Sequence, residues 1–158
     1  LLAAPPFHFS DAMIGLFGLV GAAGALGARQ AGGLADRGKG HLTTTGGLVL
    51  LLLSWVATWF GHSSVFALII GIIVLDLTVQ AVHITNQTII YRVNPEARNR
   101  LTAGYMTSYF IGGAAGSLIS ATAWQHAGWA GVCAAGAILA LLNVLVWWRG
   151  YRHTEAQS

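Results

Sequence analysis

Five apolar stretches, each close to the length that crosses a bilayer, constrain this chain more than any other feature. They cover residues 12–35, 42–60, 65–90, 101–124 and 130–148. A hydrocarbon core ~30 Å thick needs about 20 apolar residues of helix. The expected fold is therefore an all-α integral membrane protein with about five transmembrane helices in a single membrane domain over residues 1–158. Residues 149–158 are left as a tail.

Composition excludes the soluble alternative. Hydrophobic residues make up 55% of the chain and charged residues only 8%. An ordinary soluble domain carries roughly 25% charged residues, so this chain has too few to cover its surface in water. The net charge of +3 comes with no basic run and no interleaving of basic and aromatic residues, so nothing supports a nucleic-acid partner and none is expected. The single Cys133 excludes an internal disulfide framework and reads as a packed thiol. Leu1-Leu2-Ala3-Ala4-Pro5-Pro6 has neither an initiating Met nor the basic flank of a signal peptide. The beginning is expected to be internal to a longer chain.

The connections between stretches alternate in charge. Asp36, Arg37, Lys39 and His41 follow the first stretch, and Gly61-His62-Ser63-Ser64 follow the second. Arg92, Glu96, Arg98 and Arg100 follow the third, and His126-Ala127-Gly128-Trp129 the fourth. Arg149 and Arg152 lie in the tail. Every second connection holds Lys and Arg and the others hold none, which is the positive-inside pattern for five crossings. It places 36–43, 92–100 and the carboxy terminus in the cytoplasm and the amino-terminal stub 3–11 outside. The expected location is a cell membrane, as a multi-pass protein in contact with lipid. Trp59, Trp124, Trp129, Trp147 and Trp148 fall near the ends of stretches, where amphipathic rings favour the headgroup level.

Small residues mark helix faces. Gly15, Gly18, Gly21, Gly24 and Gly27 recur at every third position, and Gly112 with Gly116 forms a pair four apart, repeated by Gly113 and Ser117. Such faces let helices approach closely. They serve packing, or they form a surface on which helices slide.

Asp76 sits near the middle of the third stretch, where an ionised carboxylate costs several kcal/mol by most scales. Gln80, His83 and Gln87 follow at spacings of four, three and four, so the four share one helical face. Thr85 and Asn86 widen the polar region toward the cytoplasmic end. The stripe is expected to face the bundle interior or a wet cavity. In the functional reading, Asp76 takes a proton or pairs with a cation, and Gln80, His83 and Gln87 touch substrate. Imidazole titrates near physiological pH, so His83 also suits a relay. In the structural reading the stripe is an interhelical hydrogen-bond network. Arg29 and Gln30 lie about one and a half turns before the first cytoplasmic loop; Arg29 snorkels to the interface or pairs structurally, or else faces the cavity and binds an anion or a carboxylate.

Catalytic and metal chemistry have no signature here. The six histidines show no metal-ligand spacing, and no nucleophile, base and orienting acid come together. The glycines of the first stretch lack the Lys-Ser/Thr ending of a phosphate loop. Neither an enzyme nor a cofactor is expected.

Gly32-Gly33-Leu34-Ala35-Asp36-Arg37-Gly38-Lys39-Gly40 resembles the cytoplasmic loop signature of the major facilitator superfamily, which follows the second helix of each six-helix half. Where the family carries Gly three residues after the Asp, this chain has Lys39. The resemblance implies that Gly33, Asp36 and Arg37 form a cytoplasmic gate latch. Two further stretches look like the fourth helix, its following loop, and the fifth helix of a carboxy-terminal half in bacterial members. They are Leu75 to Gln87 with Asn94-Pro95-Glu96-Ala97-Arg98-Asn99-Arg100, and Tyr105-Met106 through Gly112 to Ser117.

The order of helices and loops fits over nearly the whole chain, and the resemblance implies helices eight to twelve of a twelve-helix transporter in a bacterial inner membrane, with the seventh represented only by its end. It also implies a small-molecule substrate held between two halves, alternating access, and an amino-terminal half as the missing partner. Proton-coupled efflux or exchange is the implied activity, with Asp76 as proton site and Gln80, His83 and Gln87 along the pathway. The rival reading is a non-transporting membrane subunit that presents its loops for docking.

Overall fold

Ser64 sets the first corner of the fold. Its hydroxyl accepts the Ala67 N–H at 3.3 Å and its carbonyl accepts the Leu68 N–H at 3.0 Å. A serine in that position caps a helix start. In the computed structural model of the chain, which describes residues 2–3, 7–15, 33, 37, 39–93 and 96–155, Ser64 separates two long helices. Helix α1 runs Gly40–Trp59 and closes with a 3-10 turn, Phe60–His62. Helix α2 runs Val65–Val93. His62 Nδ1 lies 2.9 Å from the Trp59 carbonyl, and the Ser63 hydroxyl donates to the Phe60 carbonyl at 3.2 Å. These bonds satisfy carbonyls that the ending helix would leave open.

The two helices form an antiparallel hairpin packed through small residues. A Cβ at Gly47 would stand 2.8 Å from the Val82 side chain, and one at Gly71 would stand 2.9 Å from the Thr58 backbone nitrogen. At Gly61 it would stand 2.8 Å from Leu68. Thr44, Ser54, Thr58, Thr78 and Thr85 are buried. Three of these hydroxyls bond back to their own helix: Ser54 to Leu51, Thr58 to Ser54, and Thr78 to Val74 and Leu75. A helix in lipid has to satisfy its polar groups internally, and back-bonding does so while keeping the surface narrow.

Helix α3 runs Arg98–Glu155 and is broken at Gly128, with φ 56° and ψ −142°. An L side chain rarely adopts that backbone, and glycine does so without a Cβ clash. Unbroken, its 58 residues would extend about 87 Å at ~1.5 Å per residue, far beyond one bilayer crossing. The break reverses the chain. Residues 98–127 run antiparallel to α2, with Arg98 over the Tyr91 ring and Tyr105 on His83. Residues 129–155 run antiparallel to α1, with Trp129 Nε1 donating to the Thr58 carbonyl at 3.0 Å and Trp147 Nε1 to Thr45 Oγ1 at 2.9 Å. The Trp55 ring fills the space at Gly136.

The described residues are almost entirely helical and inside-out relative to a soluble protein. Phe66, Phe110, Leu118 and Val146 are each more than 60% exposed, while the few buried side chains are mostly small or hydroxylic. A surface this apolar suits lipid. The second and third apolar stretches lie in α1 and α2, and the fourth and fifth lie on either side of Gly128 in α3. Most of the first stretch, residues 16–32, together with Arg29, Gln30 and Asp36, lies outside the described residues.

Candidate functional site

One end of this bundle gathers the charge. Gly40 at the start of α1 lies against Thr85 and Ile89 near the end of α2, Arg98 at the start of α3 lies over Tyr91, and Trp147 near its end bonds Thr45. Lys39, Arg92, Arg98, Arg100 and Arg149 therefore stand at a common end. The opposite end holds the Phe60–Ser64 turn and the Gly128 break, with no Lys or Arg between them and the helix middles.

Asp76, Gln80, His83 and Gln87 lie along α2, and the structure divides them. His83 Nδ1 is 2.9 Å from the Tyr105 hydroxyl, and the imidazole packs on Tyr105 and Tyr109 with ring centroids 5.5 and 4.6 Å apart. Asn86 hydrogen-bonds the same phenol. Gln87 Nε2 donates to Met106 Sδ at 3.6 Å. This half of the stripe is a cross-helix contact.

The other half is open. Asp76 is half-buried and Gln80 exposed, and neither hydrogen-bonds another side chain among the described residues. Seven residues from His83 toward Asp76 on α2 correspond to seven from Tyr105 toward Gly112 on α3. No other described residue comes within 4 Å of a Cβ built at Gly112, Gly113 or Gly116. Among the described residues, the small-residue pair has no neighbour at that distance, at a level along α3 that matches Asp76 along α2.

Thr85 is turned away from the stripe, fully buried, with its methyl against Gly40. Gly33 and Arg37 are exposed, and their expected latch partner Asp36 lies outside the described residues. Among the described residues no group of His, Cys, Asp and Glu is placed to hold a metal.

Sequence reasoning missed Tyr105 and Tyr109 as partners of His83. Their spacing of four puts them on one helix face, a signal open to anyone asking what would meet an imidazole. It also missed that Trp129 and Trp147 act as hydrogen-bonded ties to α1 and not only as interfacial rings.

The comparisons with known proteins agree with this architecture. The model of the Major Facilitator Superfamily matches residues 2–158. Two Escherichia coli proteins, from strains K12 and O157:H7, each named an uncharacterized transporter, YgaY, are 79% identical over all 158 residues. The chain spans 40% of their length. A Streptomyces coelicolor protein named a probable transporter, SCO4007, is 35% identical over 131 residues, 82% of this chain and 30% of that protein. No solved structure matches. A family match along essentially the whole chain, on apolar helices that reverse at each end of one bundle, places it plainly: this chain belongs to the Major Facilitator Superfamily.

Proposed function

We propose that the chain forms much of the carboxy-terminal half of a proton-coupled secondary transporter that moves a small molecule by alternating access. Asp76 is the proton site, Gln80 borders the pathway beside it, and His83 and Gln87 hold the adjoining wall. The charged end of the bundle faces the cytoplasm, with Gly33, Asp36 and Arg37 as the gate latch, in the inner membrane of a bacterium. The relatives named as transporters support the activity. One observation carries the site: a half-buried carboxylate in the middle of α2 that hydrogen-bonds no other side chain among the described residues. Ionisable residues at membrane depth line pathways and proton relays.

The test is gradient-driven uptake and efflux of a panel of small molecules in vesicles. It compares the protein expressed from its whole native reading frame with its Asp76→Asn variant. Loss of proton-driven movement, with insertion and substrate binding intact, is the expected result. Unchanged transport would place the coupling site elsewhere.

A further inference from the structure

A groove of about 260 Å³ opens at the charged end between the start of α1 and the last turns before Arg149. Leu48, Val49 and Val144 form its apolar floor, and His41, Trp147 and Trp148 its rim. The rim is built rather than incidental. Trp147 is held by its bond to Thr45 Oγ1 at 2.9 Å and stacks against His41 with centroids 5.2 Å apart. Val49 and Trp148 are about half exposed, so the groove opens sideways toward lipid. Lys39, two residues before His41, and Arg149, next to Trp148, are both exposed. Neither α1 nor residues 129–150 carry an acidic side chain.

We infer that this groove is a binding site for one anionic phospholipid, a phosphatidylglycerol-type lipid of the leaflet at the charged end. Its volume corresponds to about nine water volumes of ~30 Å³, enough for the upper part of one acyl chain and its ester region. The chain lies on Leu48, Val49 and Val144, and the glycerol region reaches the tryptophan rim, where indoles favour the interface. The phosphate is met by Lys39 and Arg149, as basic groups between membrane helices meet anionic headgroups. Arg92, Arg98 and Arg100 stand at the same end but do not line the groove, so a localised site and a diffuse surface charge give different results.

The probe is phosphatidylglycerol with brominated acyl chains, as a minor component of phosphatidylcholine nanodiscs. Bromine quenches nearby indoles. The reference is brominated phosphatidylcholine at the same fraction, and the protein is expressed from its whole native reading frame. The wild type should show excess quenching by the anionic lipid, corresponding to about fivefold local enrichment for each basic residue engaged. Lys39→Gln with Arg149→Gln should remove the excess, and Lys39→Arg with Arg149→Lys should keep it. Trp147→Phe with Trp148→Phe should lose most of it, which locates the quenched rings. Arg98→Gln with Arg100→Gln removes the same net charge and should retain it. Equal quenching by the two lipids, or equal loss in both Gln pairs, would overturn the site. Nanodiscs expose both faces and transport is not read, so the outcome is independent of membrane orientation and of the role of Asp76.

Discussion

The α1–α2 hairpin and the first arm of α3 are made from similar materials and use them differently. Both carry glycines at helix-packing intervals and hydroxyls on narrow faces. In the hairpin, Gly47, Gly61 and Gly71 are occupied: a Cβ at any of them would stand within 3 Å of the neighbouring helix. In residues 98–127, Gly104, Gly112, Gly113 and Gly116 have no neighbour within 4 Å among the described residues. Phe110, Ile111 and Leu118 around them are largely exposed. A small-residue interval is thus a permission for close approach, and the structure decides whether the permission is used. Among the described residues it is used between α1 and α2 and not used in the first arm of α3.

The same substitution at both places gives the largest expected contrast. Gly71→Val drives a side chain against the Thr58 backbone, which cannot rotate away, and should destabilise by about 3 kcal/mol. Gly112→Val enters open space and should change stability by no more than about 0.5 kcal/mol. Denaturant or thermal unfolding in micelles reads both. Equal losses would mean that Gly112 is packed against residues outside the described set, and the contrast would vanish.

Transport sharpens the contrast from the other side. If the surface around Gly112 borders the proposed pathway, Gly112→Val should slow gradient-driven movement in vesicles several-fold while the protein remains as stable as wild type. Ser117→Ala, one and a half turns further along the same arm, should leave both readouts unchanged. A Gly112→Val protein that transports normally would take the open space off the pathway.

A smaller effect is expected at the ties that hold the second arm. Trp129→Phe keeps the ring and removes the bond to the Thr58 carbonyl, at about 1 kcal/mol. Trp147→Phe removes a bond to a hydroxyl that has its own helix as an alternative, so its cost should be smaller, at about 0.6 kcal/mol. Reversal of that order would mean that the charged end, not the Gly128 turn, is where the arm is anchored.

The helices were legible because length and apolarity alone determine what can cross a bilayer. The corner at Gly128 was legible only as a short polar connection. The positive φ that lets one residue reverse the chain leaves no trace in composition. On α2 the four-three-four spacing placed Asp76, Gln80, His83 and Gln87 on one side, since helical periodicity is local. It did not reveal which of them a neighbouring helix would touch, because a contact between two helices is a property of neither sequence segment alone. Thr85 shows the same limit. It is two residues from His83, which turns it to the opposite face and into the α1 contact.

The finest test concerns the occupied half of the stripe. Tyr105→Phe keeps the ring stacked on His83 but removes the hydroxyl that His83 Nδ1 and Asn86 share. Interhelical side-chain bonds in membranes average about 0.6 kcal/mol, so this change should cost about that much. A double-mutant cycle with His83→Phe should return a coupling of similar size. If the cycle is additive, the 2.9 Å contact contributes nothing to holding α3 on α2. If Asp76 is the proton site as proposed, transport by Tyr105→Phe should stay near wild type, because the contact lies about 10 Å away along the helix. A loss as large as that of Asp76→Asn would join the two halves into one relay running from the carboxylate through His83. The distinction between occupied and open surfaces would then no longer separate structure from function on α2.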